Sequence, residues 1–290
     1  MVIKPADVDH GIVFVRKDLP GNNKVRANIH NVIDTTLATT LGFNGVTVST
    51  VEHLLSAFSG MGVDNVLIEV DAPEIPIMDG SARPFVELLK SVGTIMQDKV
   101  KKLLVIRKKV TVSEGEGMAM FLPSPEFQIT YSIEFKHKAI GFQSYHFKFS
   151  DVLYEKEICP ARTFGFLSDV EHLQARGLAL GGSLKNAIVL DKGRIINKEG
   201  LRFPDEFVRH KILDSIGDLS LLGVPIIGHF VASKSGHRLN NMLLKEMLFK
   251  QECWSFVNDF RNEEALGNKE KLRVPSFQIL DSTPASSYAI

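Results

Sequence analysis

The sequence predicts an α+β protein of two domains. Up to about residue 100, strand-like alternation and helical 3.6-residue periodicity take turns, whereas from residue 101 three strand-like runs follow one another without a helix between them. Length is the third indication: 290 residues, 44% apolar and 23% charged, can bury a substantial core, and two ordinary domains suit such a chain. A boundary near Val100 divides it into residues 1–100 and 101–290.

In chain order, 11-GIVFVR-16 reads as a strand, 49-STVEHLLSAFSG-60 as a helix with a clear start, and 64-DNVLIEV-70 as a strand. The prolines and the Asp-Gly pair of 71-DAPEIPIMDGSARPF-85 mark a loop ahead of the helix 81-SARPFVELLKSVG-93. The runs 103-LLVIRKKVTV-112, 117-GMAMFL-122 and 127-FQITYSIEF-135 then read as strands of a second sheet. A helix is expected around 169-DVEHLQARG-177, a Gly-rich turn at 181-GGS-183, and a strand at 186-NAIVLD-191. The helix 208-VRHKILDSIGDLSLLG-223, a strand 225-PIIGHFVAS-233 and a helix 238-RLNNMLLKEMLFK-250 follow, and no fixed-period repeat is visible.

Composition excludes several classes of function. Lys+Arg and Asp+Glu balance at 34 each with no long basic run, so the footprint of a general nucleic-acid binder is missing. Cys159 and Cys253 lack CxxC spacing and suggest neither a disulfide framework nor a thiolate metal site, which fits a reducing cytoplasm. The start MVIKPADVDH has no apolar h-region, and stretches such as 221-LLGVPIIGHFVA-232 are too short and interrupted to span a bilayer, so stable membrane insertion is not expected.

One helix raises a chemical question. Ile212, Leu213, Ile216 and Leu219 gather on one side, while His210, Asp214 and Asp218, four residues apart, stack on another. That polar stripe faces either water or a metal. HxxxD alone is more often a solvated ion pair, and a catalytic zinc takes three protein ligands, so the metal reading needs a third. His53 is a candidate, with Glu52 beside it as in HExxH metalloproteases, where the Glu serves as base for water. The competing reading makes Ser49 to Glu52 a capping box, with Glu52 reaching back to a backbone N–H. His237 follows Ser235-Gly236 and precedes an apolar helix, placing it near a helix N-terminus that favours anions or developing negative charge; a plain capping His is the alternative. Thr163 offers a hydroxyl and Phe164 an aromatic face in 161-ARTFGF-166, as many loops do.

Six segments in one order decide between these readings: STVEHLLSA, APEIPIMDGSA, ARTFGF, GLALGGS, FVRHKILDSIGDL and KSGHRLNN. From about His10 to near the C-terminus the chain resembles the UDP-3-O-acyl-N-acetylglucosamine deacetylases, zinc amidases that catalyse the committed step of lipid A synthesis in Gram-negative bacteria. The resemblance implies one Zn2+ per chain, with Fe2+ as the alternative ion, held by His53, His210 and Asp214. It implies Glu52 as general base, His237 as general acid supported by Asp218, and Thr163 as hydrogen-bond donor to the oxyanion. Lys211 would bind substrate and Phe164 pack on the sugar. The implied fold is two α+β domains of similar β-α-α-β topology packed helix layer to helix layer. A βαβ insert at about 167–193 would form an apolar passage for the acyl chain through Leu178, Ala179, Leu180 and Ile188, residues that composition alone assigns to ordinary core.

The chain departs from the family at its start, where no strand and GxGxHxG-like turn precede Ile3-Lys4-Pro5, so the N-terminal domain is expected to lack its first strands. The expected partner is an acylated UDP-sugar, with no nucleic acid and the protein a monomer. Two other readings are a zinc deacetylase of another N-acyl sugar and a catalytically impaired homologue that binds nucleotide sugar or lipid.

Overall fold

The computed structural model describes residues 1–169, 181–257 and 288–289; the helix expected around 169–177 lies almost wholly outside them. Among the described residues, two five-stranded sheets and the four longer helices carry most of the structure. In the first sheet the order is Tyr288–Ala289, Val2–Pro5, Val66–Val70, Ile12–Arg16 and Lys24–Arg26, with Val66–Val70 antiparallel to Val2–Pro5 and parallel to Ile12–Arg16. Such a parallel pair requires a crossover. In the second the order is Phe142–Lys148, Gln128–Glu134, His229–Ser233, Gly117–Leu122 and Val110–Glu114, with His229–Ser233 parallel to Gln128–Glu134 and antiparallel to Gly117–Leu122. Both central strands therefore have one parallel and one antiparallel neighbour, and each follows one helix and precedes another.

Those helices are α1 (Glu52–Gly60), α2 (Arg83–Val92), α3 (Glu206–Ser220) and α4 (His237–Phe249). In Gln128–Glu134, alternation puts Ile129, Tyr131 and Ile133 on the buried face, and α3 packs on that strand. The α4 helix packs on Val110–Glu114 and Gly117–Leu122. Leu54, Leu55, Ala57 and Phe58 are all buried in α1 because it lies between α2 and α3. The α2 start follows from Pro84 in its first turn, where a missing N–H is harmless, and it ends at Gly93 with φ +76°.

Two expected strands each divide between sheets. In 103-LLVIRKKVTV-112, Leu103–Ile106 is buried throughout and joins a three-stranded sheet with Ile226–Ile227 and Trp254–Val257. The three exposed basic residues 107–109 interrupt it, with the Arg107 and Lys108 N–H groups donating to the Cys253 carbonyl, before Val110–Glu114 enters the second five-stranded sheet. In 225-PIIGHFVAS-233 the change of sheet falls at Gly228. Val32–Asp34 with Thr40–Phe43 and Val46–Val48, and Phe164–Phe166 with Ile188–Asp191 and Arg194–Ile195, form two further three-stranded sheets. No helix among the described residues is long and apolar enough to cross a membrane.

The contact of α1 with α3 is close enough to dictate a residue. A Cβ on Gly217 would stand 2.0 Å from the backbone oxygen of Glu52, and backbone cannot swing aside as a side-chain tip can. Gly217→Ala is therefore expected to force α1 and α3 apart and lower the unfolding free energy by about 1–3 kcal/mol or more, measured by denaturant titration. A variant as stable as the parent would show that the two helices are not in this contact.

Candidate metal centre

The polar stripe of α3 does not face water. His210, Asp214 and Asp218 are 2–3% exposed, and the stripe meets the first turn of α1, where His53 and Glu52 are equally buried. His53 Nε2 lies 3.4 Å and His210 Nε2 3.2 Å from the same Asp214 oxygen, Oδ1. The two imidazoles meet edge-on with ring centres 5.0 Å apart. Ligand atoms of His53, His210 and Asp214 all lie within 4.8 Å of one another.

The tautomer of His210 follows from its other nitrogen. Nδ1 is 3.1 Å from the Ala161 carbonyl, which can only accept, so Nδ1 carries the hydrogen and the Nε2 lone pair points toward Asp214. Burial, with the neighbouring His53 and Lys211, holds the His210 pKa down to about 3 against the pull of Asp214, so Nε2 stays unprotonated. A lone pair aimed at a carboxylate oxygen is repulsive unless a cation lies between them. The Asp214 Oδ1 and His53 Nδ1 atoms, moreover, are buried without a hydrogen-bond partner. Two imidazoles, one carboxylate and orphaned donor atoms among them fit a divalent ion. Asp214 Oδ2 accepts a 2.8 Å hydrogen bond from Lys211 Nζ. Despite its own burial, the carboxyl is held well below the usual range, with the Lys211 ammonium as the standing positive charge beside it.

A four-membered circuit closes beside this trio. His237 opens α4, and its Nδ1 donates to Asp218 Oδ2 at 2.9 Å while its Nε2 lies 3.8 Å from Glu52 Oε1. Asp218 also accepts from Asn240 Nδ2 at 2.9 Å and from the Thr39 hydroxyl at 2.6 Å. The Thr39 N–H donates to Glu52 Oε2 at 3.0 Å. Glu52 thus does not complete a capping box: α1 begins after Val51 with no side-chain cap, and the Ser49 hydroxyl pairs with that of Thr40 at 2.8 Å. Burial would depress the His237 pKa, but Asp218 and Glu52 outweigh it and raise it to about 10. Burial also raises Glu52, over the opposing pull of His237 and His53. A loaded proton donor and a carboxylate with enhanced proton affinity thus stand side by side.

The segment 161-ARTFGF-166 is anchored to the start of α3. Glu206, wholly buried, accepts from the Arg162 backbone N–H at 3.0 Å and from its Nε at 2.9 Å, which sets the Ala161 carbonyl over His210 one turn further on. Phe164 sits edge-on to Phe207 and His210, with Lys211 Nζ 5.7 Å from its ring centre. Thr163 is held through its backbone, its N–H on the Gly80 carbonyl at 2.7 Å and its carbonyl on the Ile188 N–H at 2.8 Å. Gly80 has φ +83° and no room for a Cβ, which would lie 2.1 Å from the Asn186 oxygen. Ile188 packs in the core, while Leu178, Ala179 and Leu180 lie outside the described residues. Thr39, Asn240, Arg162 and the Ala161 carbonyl are the parts that sequence reasoning missed.

Three donor groups able to share one ion, flanked by a carboxylate and an imidazolium, are the kind of side-chain set that a mononuclear metallohydrolase uses. The pattern of the LpxC family, UDP-3-O-acyl N-acetylglycosamine deacetylase, matches residues 1–249, and the chain belongs to that family of metalloenzymes. A UDP-3-O-acyl-N-acetylglucosamine deacetylase of Syntrophus aciditrophicus (strain SB) is 60% identical over 290 residues, covering 98% of this chain and 92% of its own. Enzymes of the same name from Myxococcus xanthus (strain DK1622) and Pasteurella multocida (strain Pm70) are 52% and 51% identical, each covering 92% of this chain and 85% and 88% of their own.

The raised His237 pKa has a consequence for stability. A folded-state value above the ordinary 6.5 means the folded protein binds that proton more tightly, so the contribution is fully present below pH 6.5 and is lost as pH rises through about 10. In metal-stripped protein the denaturant midpoint should fall across that window, and His237→Gln should flatten the fall. Parallel curves for parent and variant would show that His237 is not held as an imidazolium.

Proposed function

We propose that the chain hydrolyses the acetamide of a UDP-3-O-acyl-N-acetylglucosamine, releasing acetate and leaving a free amine on the sugar, the committed step of lipid A synthesis. The observation that carries this reading is the convergence of His53 with His210 and Asp214, a pair distant from it in sequence, with Glu52 and His237 3.8 Å apart at their flank. Family membership supplies the substrate class. His53, His210 and Asp214 would hold the ion, and two imidazoles with one carboxylate suit zinc, with Fe2+ as the alternative. Bound there, a divalent ion supplies the acidification of water and the polarisation of a carbonyl.

The remaining chemistry belongs to side chains. An amide is a weak electrophile with a poor leaving group, so hydrolysis needs a proton acceptor for water, donors for the oxyanion and a proton for the amine. Glu52 accepts the proton of the attacking water. Thr163 offers its hydroxyl to the oxyanion, and His237, kept cationic by Asp218, places positive charge nearby and protonates the departing nitrogen. Lys211 and Phe164, adjacent to each other beside His210, bind the substrate's polar groups and the sugar face. We further read the molecule as two α+β domains, 1–100 and 101–290, meeting through their helix layers, acting as a monomer. The α1–α3 contact and the matching surroundings of the two central strands support that reading.

Purified protein should release acetate from the acylated UDP-sugar and contain one equivalent of metal. Glu52→Gln or His237→Ala should lower turnover at least about 100-fold with metal retained, whereas His53→Ala or Asp214→Ala should lower metal content. Acetate assays paired with elemental analysis check both. Near-normal turnover in Glu52→Gln would remove Glu52 from its role, and substrate binding without any acetate release would turn the reading toward a silent binding protein.

A further inference from the structure

Thr39 is 2% exposed and occupies an unusual place: through different atoms it touches Glu52 and the carboxylate that holds His237. Its backbone N–H donates to Glu52 Oε2 at 3.0 Å, and its hydroxyl donates to Asp218 Oδ1 at 2.6 Å, a residue 179 positions away on α3. Its carbonyl accepts from the N–H of Val51, the residue just ahead of α1, which ties the Thr39 backbone to the helix that carries Glu52. The circuit Thr39, Glu52, His237, Asp218 is consequently closed. Glu52 Oε1 faces His237 Nε2, His237 Nδ1 meets Asp218 Oδ2, Asp218 Oδ1 meets the Thr39 hydroxyl, and the Thr39 N–H returns to Glu52 Oε2.

We propose that Thr39 is a positioning residue of the reaction: its hydroxyl ties Asp218, and through it His237, to the element that holds Glu52, and so sets the spacing between base and acid. The inference rests on the reading that Glu52 and His237 exchange protons with substrate and water. The geometry explains why one hydroxyl matters. Asn240 also bonds Asp218, but at Oδ2, the oxygen that His237 uses. Among the described residues Thr39 is the side-chain donor on Oδ1, and it determines how the carboxylate is rotated about its bond to α3. A carboxylate free to rotate carries the imidazole with it. Since proton transfer requires heavy atoms within hydrogen-bond reach of the reacting proton, a displacement of about 1 Å lowers rate by roughly 100-fold without altering how substrate binds.

Thr39→Val removes the hydroxyl while keeping side-chain shape and the backbone bond to Glu52. Thr39→Ser restores the hydroxyl without the methyl group. In metal-loaded enzyme, Thr39→Val is expected to lower kcat about 10- to 100-fold with KM and metal content within about twofold of the parent, and Thr39→Ser to recover most of the loss. Proton NMR supplies a readout independent of turnover. The downfield Nδ1–H signal of His237, hydrogen-bonded to Asp218, should shift or be lost to solvent exchange in Thr39→Val and persist in Thr39→Ser. The proposal is overturned if Thr39→Val keeps kcat within about twofold of the parent while Glu52→Gln is inactive, which leaves the general-base reading standing. It is equally overturned if Thr39→Ser is as impaired as Thr39→Val, or if the Val variant loses metal or fold, since the side chain would then serve packing alone. Full turnover in Glu52→Gln would instead bring down the proton-transfer roles and this inference with them.

Discussion

A carboxylate buried against two imidazole nitrogens is the constraint around which the rest of this molecule is arranged. Asp214 has given up water, and only one of its oxygens is compensated, by Lys211. An ionised carboxylate in that state is costly unless positive charge meets its other side. The nearest nitrogens cannot both supply it: His210 is committed by the Ala161 carbonyl to the tautomer whose lone pair faces the carboxylate, and its proton affinity is depressed. A divalent cation satisfies all three groups at once. Binding of that ion is then also folding energy, because the ligands come from α1 and α3 and meet only when those helices pack.

The supporting parts follow from that requirement. Helices whose polar turns must share an ion have to approach closely, and Gly217 permits it at the one point where a side chain would strike the Glu52 backbone. The His210 ring has to be aimed, so the chain places a carbonyl over it. That carbonyl is fixed in turn by Arg162, whose guanidinium is locked on Glu206 at the start of α3 and also bonds Glu199 and the Gly200 carbonyl. A buried ion pair of this kind adds little net stability against an apolar substitute, but it specifies geometry. An acidic residue in the first turn also complements the helix dipole. Outer contacts of this sort set ligand orientation in metal sites generally.

How much of this could be read from residues alone differs with the physical range of the signal. His210, Asp214 and Asp218 lie at helical spacing, so their shared stripe was legible, as were the helices carrying them; periodicity reports a face directly. Spacing did not say what that face met, because His53 is brought to it by tertiary packing alone. Likewise S-x-x-E at Ser49 is a genuine local signal for a capping box, and it lost to a longer-range bond from Thr39. Runs such as Lys24–Arg26 and Val46–Val48 are too short to show alternation, and 103–112 looked like one strand although its exposed basic triplet divides it between two sheets. The Ala161 carbonyl leaves no trace in the sequence at all, since every residue has one. Thr39 was invisible for a related reason: its importance lies in two partners 13 and 179 residues away.

The pairing of Glu52 with His237 shows how burial and neighbouring charge act on two titratable groups in one buried site. Both have elevated proton affinity, yet for opposite reasons: burial disfavours the charged Glu52, whereas neighbouring carboxylates favour the charged His237 strongly enough to overcome burial. A carboxylate made more basic is the better acceptor, and an imidazolium already holding its proton is the ready donor. Asp218 maintains the difference. It accepts from His237 while Thr39 and Asn240 occupy its other acceptor positions, which fixes where the carboxylate stands beside the ring. The 3.8 Å separation between Glu52 and His237 keeps the two in electrostatic contact while leaving them outside direct hydrogen-bond distance, so each remains available to a third molecule.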